Sequence, residues 1–206
     1  NYFGKMYQPR YLAGLQAGEM TTSNKIGYVA AFPIPEVIRG INAFAAGVKE
    51  VNPEATVEVV WTFTWFGPEE ETQAANALIE TGVDVLAQHQ DSPSTGLVAE
   101  ANGAKWISYN TNYGQSAAPE AYTGAPVWDW GPYYVSVVNS IIDGEFSGGA
   151  YWGGMETGLV SYDTIFDQGP MADLINNVQA QIISGEFDPE IVEDEFIDNV
   201  IGTVNP

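Results

Sequence analysis

The sequence predicts an α/β protein built on a parallel sheet with helices on both faces. Three observations carry that reading. Short apolar runs rich in β-branched residues recur along the chain, each is followed by a stretch with apolar residues three and four apart, and Gly, Pro and Asn separate the two kinds of segment. Parallel strands cannot be joined by tight turns, so their crossovers become helices that cover both faces of the sheet.

Near the start, Tyr7, Tyr11, Leu12 and Leu15 fall at helical spacing, and Ile26 to Ala31 then reads as a buried strand after the Ser23-Asn24 turn. Beyond Pro33 and Pro35, a stripe at Val37, Ile38, Ile41, Phe44 and Val48 predicts an amphipathic helix that ends before Asn52-Pro53. Val57 to Thr62 is the next strand. Gly67-Pro68 opens a helix through Ile79 with Glu69, Glu70 and Glu71 in its first turn, where the helix dipole favours anions, and Gly82 closes it. Val83 to Gln88 reads as a strand, Ser94 to Ala101 as a short helix and Trp106 to Tyr109 as a fourth strand. Tyr122 to Val127 is a fifth strand, and Tyr134, Val137, Val138, Ile141 and Ile142 mark a helix from Pro132. Tyr151 to Val160 is glycine-broken and aromatic, a strand or loop near a neighbouring surface. Met171 to Ile183 is the last patterned helix, and from Gly185 the chain is acidic with little periodicity.

At 206 residues and 45% hydrophobic content the chain can bury one large or two small lobes. Six Lys and Arg against 27 Asp and Glu give a net charge of -21, and no cation follows Lys105. Such a surface lacks the cations that phosphate requires, which excludes nucleic acid and disfavours an anionic membrane surface. With no Cys and a single His, there are no disulfides, thiol chemistry or His-rich metal sites. Glu69-Glu70-Glu71 and Glu193-Asp194-Glu195 read as solvated helix-end charge rather than metal ligands. No apolar stretch approaches the roughly 20 residues a membrane span needs. The opening Asn1-Tyr2-Phe3-Gly4 runs almost directly into a helical pattern, as in a segment cut from a longer protein.

In open parallel sheets ligands bind beyond the carboxyl ends of the strands. Four of those ends here carry Phe32-Pro33-Ile34-Pro35-Glu36, His89-Gln90-Asp91-Ser92-Pro93, Asn110-Thr111-Asn112-Tyr113, and Trp128-Asp129-Trp130. A single Trp in such a place is more often core, and a single Asn more often a turn former. Recurrence at four ends points instead to a flat heteroaromatic ligand, whose rings stack on Phe or Trp while Asn, Asp and Gln meet its nitrogens. That reading requires Phe32, Gln90, Asn110 and Trp128 to share one recess. His89 alone reads as a structural or pocket-wall residue, because no nucleophile stands beside it. Phosphate-binding glycine loops, G-x-S-x-G, H-E-x-x-H and calcium loops are all absent, so no enzyme, cofactor or metal is indicated.

The stretches Tyr2-Phe3-Gly4, Tyr11-Leu12-Ala13-Gly14, Lys25 to Ala30 and Pro35 to Phe44 resemble the basic-membrane-protein family of ABC-transporter substrate-binding proteins. Gln88 to Ser92, Ala125 to Tyr134 and Tyr151 to Met155 extend the resemblance in the same order to about Phe187. It implies a type I periplasmic-binding fold, two α/β lobes closing on a purine base or nucleoside, with the first lobe largely missing from this chain. Residues 1–121 would be the second lobe, 122–131 the hinge region, 132–165 a remnant of the first lobe, and 166–206 a final helix and acidic tail. By position, Phe32 would be the stacking ring, Asn110 would read the purine edge, and Gln90 with Asp91 would line the pocket. Trp128 would stand where some members carry a ribose-contacting Lys, which favours a free base such as adenine. The resemblance further implies an extracytoplasmic, lipid-anchored protein that serves a membrane permease. Sheet edges and helix faces left uncovered would favour self-association. Two rivals are a nucleoside- or sugar-processing enzyme using Asp91 and His89 as acid and base, and a ligand sensor on the same fold.

Overall fold

A computed structural model describes residues 1–202. In chain order its elements are β1 (Tyr2–Gly4), α1 (Tyr7–Met20), β2 (Lys25–Ala30), α2 (Pro35–Val51), β3 (Thr56–Trp61), α3 (Pro68–Glu80), β4 (Val85–His89) and α4 (Ser94–Ala101). There follow β5 (Lys105–Ile107), α5 (Gly114–Ala117), β6 (Tyr122–Trp128), α6 (Gly131–Ile142), β7 (Tyr151–Gly153), β8 (Val160–Thr164), α7 (Pro170–Ser184) and β9 (Val200–Ile201).

Seven strands form one sheet in the order β8-β6-β5-β4-β2-β3-β9, parallel throughout except for β8, which runs antiparallel to β6. The alternation of side chains along β2 sorts the core into two layers. Ile26, Tyr28 and Ala30 face a cluster with Leu12, Leu15, Ile41, Phe44 and Ile175, from α1, α2 and α7. Val29 faces the other cluster with Leu78, Leu86, Val98 and Trp106, from α3, α4 and their strands.

Buried on all sides from Tyr7 to Gly18, α1 has no solvent face, and its polar residues must find partners inside. Gln16 shows how: its amide donates to the Thr123 carbonyl at 3.1 Å and accepts from the Thr164 hydroxyl at 2.7 Å, tying β6 to β8. The two helices α1 and α2 meet through glycine. A Cβ on Gly14 would be driven into the Phe44 carbonyl, and one on Gly47 into the Tyr11 carbonyl.

Glu71 departs from the solvated charge expected of it. It is fully buried, accepting the Gly67 N–H at 3.1 Å and the Ser92 hydroxyl at 2.6 Å, so it joins the start of α3 to the loop after β4. Burial pushes its pKa up even so. The run Glu193 to Glu195 is likewise no helix end. The acidic segment after Phe187 packs along α1 and α2: Asp188 accepts from Gln8 at 2.8 Å, Glu193 pairs with Arg39, and Asp198 pairs with Lys49 at 2.6 Å. Asn42 donates to the carbonyls of Val192 and Glu195 at 2.9 and 2.8 Å, and Phe196 stacks on Trp61 at 6.1 Å. This brings β9 onto the edge of β3, a pairing that periodicity did not foretell. The last four residues of the tail expected over 166–206 lie outside the described residues.

Tyr122–Trp128, where the sequence predicted a fifth strand, is a seven-residue strand of the main sheet, while among the described residues β1 pairs in parallel with β7 alone. The stripe expected on α6 is present but uncovered. No residue of α6 is buried, and Val135, Val138, Ile141 and Ile142 are all exposed. Among the described residues no helix is long and apolar enough to cross a membrane.

Glycine in mid-helix ordinarily costs about 1 kcal/mol relative to alanine. Because the α1–α2 contact is backbone on backbone, Gly14→Ala should reverse that sign, with overpacking lowering stability by about 1–3 kcal/mol in chemical denaturation. A stabilised variant would show that the helices do not touch here.

Candidate functional site

The parallel register sets Ala30 beside both Trp61 and His89, and Ala87 beside Ile107. The strands therefore end at one edge, and their loops leave in one direction. At that edge a continuous line of contacts links Phe32 to Asn110. The Phe32 ring lies 5.5 Å from Trp65, Trp65 lies 6.2 Å from His89, and His89 lies 4.9 Å from Tyr109. The Arg10 guanidinium sits 5.2 Å from the Tyr109 ring centre and donates to the Asn110 Oδ1 at 3.3 Å.

Gln90 and Asp91 form the neighbouring part of the edge. The Gln90 amide donates to the Thr62 hydroxyl, and the Asp91 N–H donates to the Trp65 carbonyl at 3.0 Å, so the loops after β3 and β4 are cross-tied. Both residues line a hollow of about 220 Å³ together with Trp106, Ser108, Tyr109 and Tyr113. That volume is below the roughly 300–1,000 Å³ of a complete small-molecule site. Partial burial raises the Asp91 pKa.

Trp128 and Trp130 belong to a second aromatic group. They stack on each other at 4.9 Å; Phe3 meets Trp128 at 5.5 Å, and Tyr134 stacks on Trp130 at 5.9 Å. Asp129 is exposed and accepts the Gly131 N–H at 3.0 Å, shaping the start of α6. From β2 to β6 there are three strand spacings, about 14 Å at the usual separation. The two groups thus share an edge, but none of the described cavities takes in Phe32, Gln90, Asn110 and Trp128 together. The largest, about 770 Å³, runs between α2 and the acidic segment past Lys49 and Pro53, toward the opposite end of the sheet.

The electrostatic centre of the site is Arg10, 2% exposed, with His89, 1% exposed, beside it. Gly40 makes room for the guanidinium, since a Cβ there would fall 2.8 Å from the Arg10 Cδ. The Glu36 carboxylate lies 3.0 Å from the His89 Nε2, off the line of a good hydrogen bond, and neither ring nitrogen has a full partner. Burial raises the Glu36 pKa, but the attraction of His89 when that ring is protonated, and that of Arg10 and Arg39, outweighs it and lowers the group. Burial and then Arg10 push His89 below 6.5. The imidazole is therefore neutral at pH 7, so Arg10 and Arg39 are the cations that keep Glu36 ionised. The acid–base pair imagined for Asp91 and His89 has no contact in the structure; the carboxylate at His89 is Glu36.

Phe63, Trp65, Tyr109 and Arg10 were not foreseen, and Glu36, quoted only as the end of the stretch that follows the first strand, was given no role of its own. Phe63 and Trp65 lie in the loop after β3, an aromatic strand-end loop like the four singled out, and this signal was available in the sequence. Phe63 holds a left-handed backbone, φ 57°, with its ring 48% exposed, strain of a kind that collects at ligand-binding loops. Arg10, in contrast, sits inside α1, which precedes every strand of the main sheet and follows none of them.

An open parallel sheet with ring and amide groups at its carboxyl edge is the architecture of an α/β lobe that takes ligands at that edge. Residues 1–188 match the family described as ABC transporter substrate-binding protein, PnrA-like, and the chain belongs to it. A Haloferax volcanii protein provisionally named an ABC transporter glucose-binding protein is 45% identical over 192 residues, 91% of this chain and 48% of its own length. A purine-binding protein of Brucella abortus is 36% identical over 194 residues, 91% of this chain and 54% of its own length. The chain thus spans about half the length of the curated relatives it matches. An ABC transporter solute-binding protein from Conexibacter woesei superposes with a TM-score of 0.75 at 21% identity, covering 92% of this chain and 65% of that one. The shared architecture is the type I periplasmic-binding fold.

Below pH 6.5 the unfolded state gains a proton that buried His89 resists, and below about 4.5 the same holds for Glu36. Stability is therefore fully present above pH 6.5 and falls with acid. For each proton the slope reaches at most about 1.4 kcal/mol per pH unit. His89→Asn should flatten the melting-temperature profile between pH 6.5 and 5, and an unaltered profile would show that His89 is not held neutral.

Proposed function

We propose that this chain supplies one lobe, and part of a second, of an extracytoplasmic solute-binding protein that captures a purine base or nucleoside for an ABC importer. In this reading residues 5–121 with β6 and β8 make the main lobe. The pair β1–β7 and α6 then belong with the other, which explains an apolar helix with no buried residue. The protein is held at the membrane by a lipid anchor and hands its ligand to a permease.

The observation that carries the reading is the line of contacts from Phe32 through Trp65, His89, Tyr109 and Arg10 to Asn110. It places ring faces and an amide at one open edge, a half-site that closure of a second lobe would complete. The purine-binding relative supports this ligand class. Trp128, an apolar ring without the charge of a ribose-contacting Lys, supports a free base over a nucleoside. A second reading, a sugar ligand, is favoured by the name of the Haloferax relative, since sugars also stack on aromatic rings. Catalysis has little support beside these, because His89 and Asp91 do not meet.

Calorimetry on the full-length protein with adenine, adenosine and glucose separates the readings. A purine should bind, and Phe32→Ala should weaken it about tenfold, or ~1.4 kcal/mol, through lost stacking and burial. Glucose binding without purine binding, or an unchanged purine affinity in Phe32→Ala, would overturn the proposal. The exposed stripe of α6 should make residues 1–206 self-associate when expressed alone; a monomeric mass in light scattering would contradict that.

A further inference from the structure

Asn110 carries an asymmetry that narrows the ligand, given that the binding reading above holds. Its backbone is left-handed, φ 54°, which an Asn tolerates and which turns the residue out of β5 at the edge. One end of its amide is already engaged. Arginine has donors only, so the Asn110 oxygen, not the nitrogen, must face the guanidinium, as it does at 3.3 Å.

That guanidinium has little freedom to move away. Arg10 donates to the Tyr28 hydroxyl at 3.0 Å, packs on the Tyr109 ring, and is threaded past the bare Cα of Gly40. The Asn110 oxygen is therefore held inward, and among the described residues no hydrogen bond takes its Nδ2, which lies on a half-buried side chain at the rim. What the edge offers at position 110 is an N–H donor.

We infer that Arg10 is a specificity-determining positioning residue that fixes Asn110 as a donor, so that the ligand ring turns a carbonyl oxygen toward it. The ligand class is then an oxo-substituted heterocycle of the 6-oxopurine type rather than an amino-substituted one. Where the ring's 6-position faces Asn110, adenine, expected from the Trp128 substitution, would set its exocyclic amine against the amide N–H, donor against donor, and could meet that N–H only by turning a ring nitrogen to it instead. Leaving such a group unpaired in a closed site costs enough to discriminate by about tenfold or more.

Hypoxanthine and adenine form the test pair, titrated against the full-length protein and two variants. Wild type should favour hypoxanthine by about tenfold or more. Asn110→Asp keeps the size and the Arg10 contact but turns an acceptor outward, so the preference should reverse. Arg10→Met keeps the bulk and frees the amide to rotate, so the ratio should approach one. That selectivity ratio would not change if Arg10 were only structural, and if Arg10→Met fails to fold, Asn110→Asp alone decides. Equal affinities in wild type, or a ratio unmoved by Asn110→Asp, would overturn this inference while leaving purine capture standing. Binding of neither purine would instead overturn the function on which it rests.

Discussion

Backbone contact between α1 and α2 is the constraint on which the rest of the molecule depends. Gly14 and Gly47 let the two helices approach until main-chain atoms touch, and this closeness allows both to lie on one face of the sheet. A side chain at either position would spread the pair. Gly40 extends the same logic, because the space it leaves is where Arg10 passes from α1 toward the sheet edge. Helix packing and the placement of the site's buried charge are thus one structural problem with one solution, small residues along facing helices.

Burying that charge is expensive. An uncompensated ion in a protein interior costs several kcal/mol, which must be offset by partners and opposite charge. Arg10 has the Tyr28 hydroxyl, the Asn110 oxygen and the Tyr109 ring, with the ionised Glu36 nearby and a neutral His89 that adds no repulsion. The guanidinium is held from several directions, and a group so held can orient another. Asn110 stands at the end of a rigid chain of contacts rather than on a loop free to adapt.

The carboxyl edge carries two aromatic groups of different character. The one around Phe32 is linked to the buried network; the one around Trp128 and Trp130 is built with β1, β7 and α6, which sit outside the main sheet. The chain spans about half the length of the curated relatives it matches, and α6, though apolar, buries none of its residues. The acidic segment after Phe187 does the opposite: it closes the structure along α2, pairing with Arg39 and Lys49 and covering the edge of β3.

Local sequence by itself determined the alternation of strands and helices, the parallel sheet and the edge at which to look for a site. Each depends on periodicity, turn residues and strand composition, and these act over a few positions. Phe32, His89, Gln90, Asp91 and Asn110 could be named because they lie at or shortly past strand ends, and Trp65 could have been named on the same ground. Tertiary structure alone decided that Arg10 reaches Asn110, that Glu36 rather than Asp91 faces His89, that Glu71 is buried, and that Trp128 stands in a separate group. It alone decided, too, that the acidic tail returns to add β9 beside β3. These contacts join residues up to about 150 positions apart, where no local periodicity records the partner; which groups meet is set by strand order and by how closely the helices can pack.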